Sequence, residues 1–198
     1  MKKITGLLSL FVSLLSAGQT TKNAIAIIPE PVTVKISQGS FTLPSRISIS
    51  GGSQADLKQV LEVLRSHFSI ATGSAVSVNT SSSQATIRLS LNKSPNSLLG
   101  KEGYQLSVTP KNISIRANEP AGLYYGVQSL LQLFPKEIES RQKTNGIKWT
   151  APCVEITDYP RFGWRGLMFD VSRHFFTKKQ VEQFIDDMVK YKFNLLHM

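Results

Sequence analysis

Two periods govern the apolar positions of this chain. In the first two thirds, short segments alternate: Ile87, Leu89 and Leu91 against Arg88 and Ser90, then Leu106 and Val108 against Gln105 and Ser107. A period of two marks strands with one buried face, and it predicts strands over 32–35, 46–50, 86–92, 104–109 and 114–117. Between them the spacing changes to three and four. Leu57, Val60, Leu61, Leu64 and Phe68 make one stripe, capped by Ser53, and predict a helix ending near Phe68. Leu123, Val127, Leu130, Leu131 and Phe134 make a second stripe over 122–134, stopped by Pro135. Gly122 and Gly126 sit one turn apart and leave a bare patch for close approach to a neighbour, at a cost in helix propensity.

The polar stretches 79–83 and 136–148 read as loops, and the second is the expected boundary between two regions. Beyond Trp149 the pattern changes. Residues 165–170 form an apolar strand that ends in Asp170, with Arg173 and His174 close behind. Thr177 and Gln180 then have capping-box spacing, and Phe176 and Val181 the spacing of a hydrophobic staple. Val181, Phe184, Ile185, Met188 and Val189 run down one helix face, and residues 194–198 begin another strand. Strand, helix and strand with short joints imply a right-handed parallel crossover. The polar cluster stands at the carboxyl end of its strand, the edge that carries active sites in a (β/α)8 barrel. Such a barrel needs about 250 residues, so this region is expected to be the start of one, within a longer enzyme. The expected fold class is α/β. An α+β domain is followed by the first β-α unit and the beginning of the second strand of a (β/α)8 TIM barrel.

Charge and composition narrow the setting. Lys2 and Lys3, the apolar run Leu7 to Leu15 and the small residues Ser16-Ala17-Gly18 read as an export signal over 1–18, with a mature start near Gln19. The apolar core is too short to span a bilayer. The formal charge is +10, or +8 without Lys2 and Lys3, but the basic residues are scattered and no basic run is interleaved with aromatics. A nucleic-acid surface is therefore not expected, nor a membrane contact after signal cleavage. The single cysteine, Cys153, excludes an internal disulfide. An exported protein without disulfides suits a bacterial periplasm or secretion, and Cys153 reads as a buried structural thiol. His67 and His197 have no ligand partners nearby, so no metal site is expected.

Two blocks of sequence carry a family resemblance. Ala121-Gly122-Leu123-Tyr124-Tyr125-Gly126-Val127-Gln128-Ser129-Leu130-Leu131-Gln132-Leu133 resembles the last helix of the accessory domain of glycoside hydrolase family 20 β-N-acetylhexosaminidases. Asp158-Tyr159-Pro160-Arg161-Phe162, with Asp170-Val171-Ser172-Arg173-His174-Phe175, resembles the start of that family's catalytic barrel, and residues 191–198 its second strand. The resemblance divides the chain into a signal (1–18), an accessory domain (19–148) and an incomplete barrel (149–198). It implies hydrolysis of terminal β-linked N-acetylhexosamine from glycans or chito-oligosaccharides by a substrate-assisted retaining mechanism, with no cofactor and no particular oligomeric state. The carboxylate that orients the acetamido group and the adjacent general acid are expected beyond Met198. No catalytic residue is therefore assigned within the chain, and the chain alone is expected to be inactive.

Of the residues present, Arg173 is the substrate contact the resemblance implies, its planar guanidinium matching two adjacent ring hydroxyls. Asp170 either holds Arg173 by a charged hydrogen bond or binds the amides of the following loop. His174 either lines the pocket or satisfies the loop, and the loop role is favoured. Arg165, at the barrel's stability end, is expected to be structural. Phe162 and Trp164 are expected to pack between the two domains, and Tyr124 and Tyr125 to be core or interface residues. Two alternatives remain open on the sequence: a non-catalytic carbohydrate-binding or interaction module, and another acetamido-sugar hydrolase with a similar accessory domain.

Overall fold

The computed structural model describes residues 25–52, 55–79 and 84–198. The expected export signal and the expected Ser53 cap lie outside these residues. Strands β1 (Thr33–Thr42), β2 (Arg46–Ser50), β3 (Ala75–Asn79), β4 (Ile87–Leu91), β5 (Tyr104–Val108), β6 (Ile113–Ala117) and β7 (Thr150–Asp158) build one seven-stranded sheet in the order β1-β7-β5-β6-β4-β2-β3. Helices α1 (Ala55–Thr72) and α2 (Pro120–Leu133) cover it. The alternation seen in sequence decides which side they cover. Ile47, Ile49, Ile87, Leu89, Leu106, Ile115 and Ile156 join Leu64, Phe68, Val127 and Leu130 in one buried core. Ser90, Gln105, Arg116 and Glu155 face solvent on the other side.

Two strands were not foreseen, β3 and β7. The second matters more, because β7 pairs antiparallel with both β1 and β5 and is an interior strand of the first sheet. The first sheet therefore runs on to Asp158, past the expected boundary at residue 148. Pro152 is what disguises β7 in the sequence, since proline cannot donate to a ladder. It fits here because β5 pairs only with Val154 to Asp158, so Pro152 has β1 alone as neighbour, opposite the irregular stretch between Ile36 and Ser40. The loop before β7 holds a 3-10 turn, Lys136–Glu139, that buries Ile138. Cys153 is buried, as expected of a structural thiol.

Helix α2 starts two residues earlier than its stripe suggests, with Pro120 in the first turn, where a missing N–H costs nothing. The bare patch on α2 is used. A Cβ on Gly122 would stand 2.3 Å from the carbonyl oxygen of Gly103, and one on Gly126 2.5 Å from Ile115. Gly122→Ala gains at most about 1 kcal/mol in helix propensity but must displace backbone, which typically costs about 1–3 kcal/mol. A thermal melt of the whole protein should show Gly122→Ala destabilised, while Gly163→Ala, where a Cβ meets open space, should leave the melt unchanged. An unchanged melt for Gly122→Ala would mean that helix and sheet are not held this closely.

The second region is smaller. Strands β8 (Gly166–Met168) and β9 (Leu195–His197) pair in parallel, and α3 (Lys178–Lys190) crosses between them. The predicted capping box is present, Thr177 accepting from the Gln180 amide and Gln180 from the Thr177 amide. Phe169 stacks on Phe184 with centroids 4.4 Å apart, and Phe176 lies 4.5 Å from Phe169. Phe176 therefore anchors the start of α3 through Phe169. β8 is shorter than the expected strand over 165–170, because among the described residues only β9 pairs with it. Among the described residues no helix is long and apolar enough to cross a membrane.

Candidate functional site

The two ends of β8 carry different chemistry. At its carboxyl end the chain leaves the strand and turns at Asp170. Oδ1 of Asp170 accepts from the amides of Ser172, at 3.0 Å, and Arg173, at 3.3 Å. Its other oxygen, Oδ2, lies 3.2 Å from Nε of Arg173. One oxygen thus binds the amides of the following loop, and the other makes an exposed ion pair with the Arg173 guanidinium. The Arg173 side chain is 85% exposed, so its remaining N–H donors are open to solvent. His174 is exposed and takes no hydrogen bond among the described residues.

At the amino end of β8 the surroundings are close-packed and polar. Arg165 donates to both oxygens of Glu102, at 3.0 and 3.1 Å, a bidentate pair between the turn before β5 and the start of β8. Its Nε donates to the Lys192 carbonyl at 2.8 Å, and its guanidinium lies over the Tyr125 ring. Asn194, at the start of β9, donates to Glu102 at 3.2 Å and accepts from the Arg165 amide at 2.9 Å. Burial alone would raise the Glu102 carboxyl. The hydrogen bonds from Arg165 and Asn194, with the Arg165 charge, outweigh it and hold the group below the usual glutamate value.

Beside this cluster lies a buried ion pair. Lys192 donates to Asp158 Oδ2 at 2.7 Å and to the Tyr104 hydroxyl at 3.0 Å, and Tyr104 in turn meets Ser129 at 2.6 Å. The other oxygen of Asp158 accepts from the Val32 amide at 3.3 Å. Burial pushes the Lys192 ammonium below the ordinary lysine value, with the Asp158 charge opposing that shift.

Sequence reasoning placed Arg165 among the structural residues, and its contacts agree. It missed Glu102, Asp158, Lys192 and Asn194, since Glu102 and Arg165 are 63 positions apart and no local pattern links them. The expectation for Phe162 and Trp164 is corrected: they are 66% and 72% exposed and do not pack between the regions. Arg165 and Lys192 fill that space with their long side chains. Tyr125 does lie at the interface, donating to Glu102 at 3.4 Å. His67 donates from Nδ1 to the Val63 carbonyl, 2.8 Å away within its own helix. Among the described residues no cluster of His, Cys, Asp and Glu is arranged to hold a metal.

Comparison with known proteins fits this two-part arrangement. Residues 24–159 match the model of glycosyl hydrolase family 20, domain 2, and residues 162–198 match that of the family's catalytic domain. The junction of the two matches falls at the end of β7. A β-hexosaminidase of Porphyromonas gingivalis is 30% identical over all of this chain, which spans 26% of that protein. A β-N-acetylhexosaminidase of Cellulomonas fimi is 30% identical over 88% of the chain and 34% of its own length. Among solved structures, the N-acetyl-β-hexosaminidase of Streptomyces plicatus superposes with a TM-score of 0.80 at 34% identity, covering 86% of this chain and 33% of that one. The chain thus spans about a quarter to a third of these relatives. The two matched ranges follow one another in the order of the two regions and together cover residues 24–159 and 162–198, and the chain belongs to glycosyl hydrolase family 20.

Proposed function

We propose that this chain is the amino-terminal part of an exported glycosidase that removes terminal β-linked N-acetylhexosamine from glycans or chito-oligosaccharides. The observation that carries the reading is Arg173, held by Asp170 at the carboxyl end of the first barrel strand with its donors turned outward. There a planar guanidinium can donate to two adjacent ring hydroxyls and fix the sugar over the barrel mouth. Relatives support the substrate class. One from Vibrio harveyi is named N,N'-diacetylchitobiase, and a Streptomyces plicatus variant was solved with the product GlcNAc.

In the substrate-assisted scheme the acetamido oxygen of the sugar attacks C1. One carboxylate orients the acetamido group and an adjacent glutamic acid protonates the departing oxygen. Both are proposed to come from a later barrel strand, leaving Arg173 to bind and orient the sugar. The whole enzyme should therefore hydrolyse an aryl β-N-acetylglucosaminide with retention at C1, and spare the aryl β-glucoside that lacks the acetamido group. Equal turnover of the two would overturn the assignment. Export is read from the first eighteen positions, and sequencing the amino terminus of the secreted protein should find a start near Gln19. Intact Met1 on a cytoplasmic protein would refute it.

A further inference from the structure

We propose that Glu102, although it belongs to the first sheet's domain, is a positioning residue for the sugar site at the opposite end of β8. Its carboxylate bonds to the starts of both barrel strands. It takes two hydrogen bonds from Arg165, immediately before β8, and one from Asn194, immediately before β9. The two strand starts are also tied to each other. Arg165 donates its amide to the Asn194 side chain at 2.9 Å and accepts the Asn194 amide at 2.9 Å, and Asn194 donates to the Gly163 carbonyl at 2.8 Å. Glu102 and Arg165 are each only 19% exposed, so water competes weakly for these bonds.

The consequence follows from the stiffness of an extended strand. Asp170, which shapes the loop and aims Arg173, lies two residues beyond the end of β8 and five after Arg165, at most roughly 17 Å of extended chain. A slide or tilt of β8 at its anchored end reaches Asp170 and carries Arg173 with it. The anchor lies in a different domain from the strand it holds, so the accessory sheet acts on the sugar site by setting the register of β8 against β9. For its activity arm the inference rests on Arg173 being a sugar contact.

The test is a double-mutant cycle in the whole enzyme with Glu102→Gln, Arg173→Lys and their combination, read as kcat/KM and as amide hydrogen exchange. Glu62→Gln, which breaks an exposed ion pair with Arg65 on α1, is the control. Glu102→Gln should lower kcat/KM by about ten- to a hundredfold, the size of loss a misplacement near 1 Å produces. Once Arg173 no longer makes its contact there is less left to misplace. The double variant should therefore lose clearly less than the product of the single losses. Exchange should quicken at the Phe169 and Leu195 amides, which bond across β8 and β9, and stay unchanged in β5 and β6. Multiplicative losses, or unaltered exchange at those two amides, would overturn the proposal. If Arg173→Lys is itself silent, the sugar-contact assignment fails, and the exchange result alone then decides whether Glu102 sets the strand register. Should Glu102→Gln not fold, Asn194→Ser enters the same cycle with the same expected pattern.

Discussion

Arg173→Lys in the whole enzyme is expected to lower kcat/KM by about ten- to a thousandfold or more while leaving the melting temperature where it was. A charged hydrogen bond contributes about 1.5–3 kcal/mol, and a lysine ammonium cannot reproduce the fork that reaches two neighbouring hydroxyls. Losing one or two such bonds in the transition state gives that range. The fold does not depend on the group. The side chain is 85% exposed, and its pair with Asp170 is a surface contact of the kind worth about 0–1 kcal/mol. The measurement is a kinetic profile beside a thermal melt. Near-normal kcat/KM with a sharply lowered melt would make Arg173 a structural residue and remove it from the site.

Lys192→Met is expected to have the larger effect on stability, about 3–5 kcal/mol, because it leaves the Asp158 carboxylate buried without its cation. The structure explains why a lysine stands there at all. Lys192 has φ 63°, the left-handed conformation in which a helix usually ends on glycine. A residue with a side chain gives up about 1–2 kcal/mol there. Only a side chain long enough to reach Asp158 and Tyr104 offsets that. The pair itself need not be stabilising, since a buried ion pair can be replaced by apolar groups at little cost. Lys192→Met combined with Asp158→Leu should therefore recover part of the loss, limited by the Val32 amide that Asp158 also serves.

The pH dependence of the unmodified protein supplies a second check. The ammonium's folded value is depressed below the ordinary lysine range, so between the two values the unfolded chain holds more protons. Stability from this group rises with pH across that window, and Lys192→Met should abolish the rise. The Glu102 carboxyl gives the same sign in the acid range. Its folded value is lowered, so its contribution is present above the ordinary glutamate value and is lost as pH falls through the folded one.

Hydrophobic periodicity alone determined much of this protein. The stripes of α1 and α2 and the alternation of β4 and β5 are local patterns, and each element buries the face its own residues prescribe. The capping box at Thr177 was legible for the same reason, since its two partners lie three positions apart. Around Asp170 and Arg173 the short spacing permits the loop and ion pair that form there. What the sequence did not yield depends on partners far along the chain. β7 is interior because β1 and β5 flank it, and its Pro152 and polar residues conceal that from any local window. Phe162 and Trp164 look like interface residues by composition, yet Arg165 and Lys192 occupy the interface because the half-buried Glu102 and the buried Asp158 meet them there with carboxylates. Side-chain period is a property of neighbouring residues and survives in the bare sequence. Which charge meets which across two domains is decided only when folding brings positions 102 and 165, or 158 and 192, within hydrogen-bond reach.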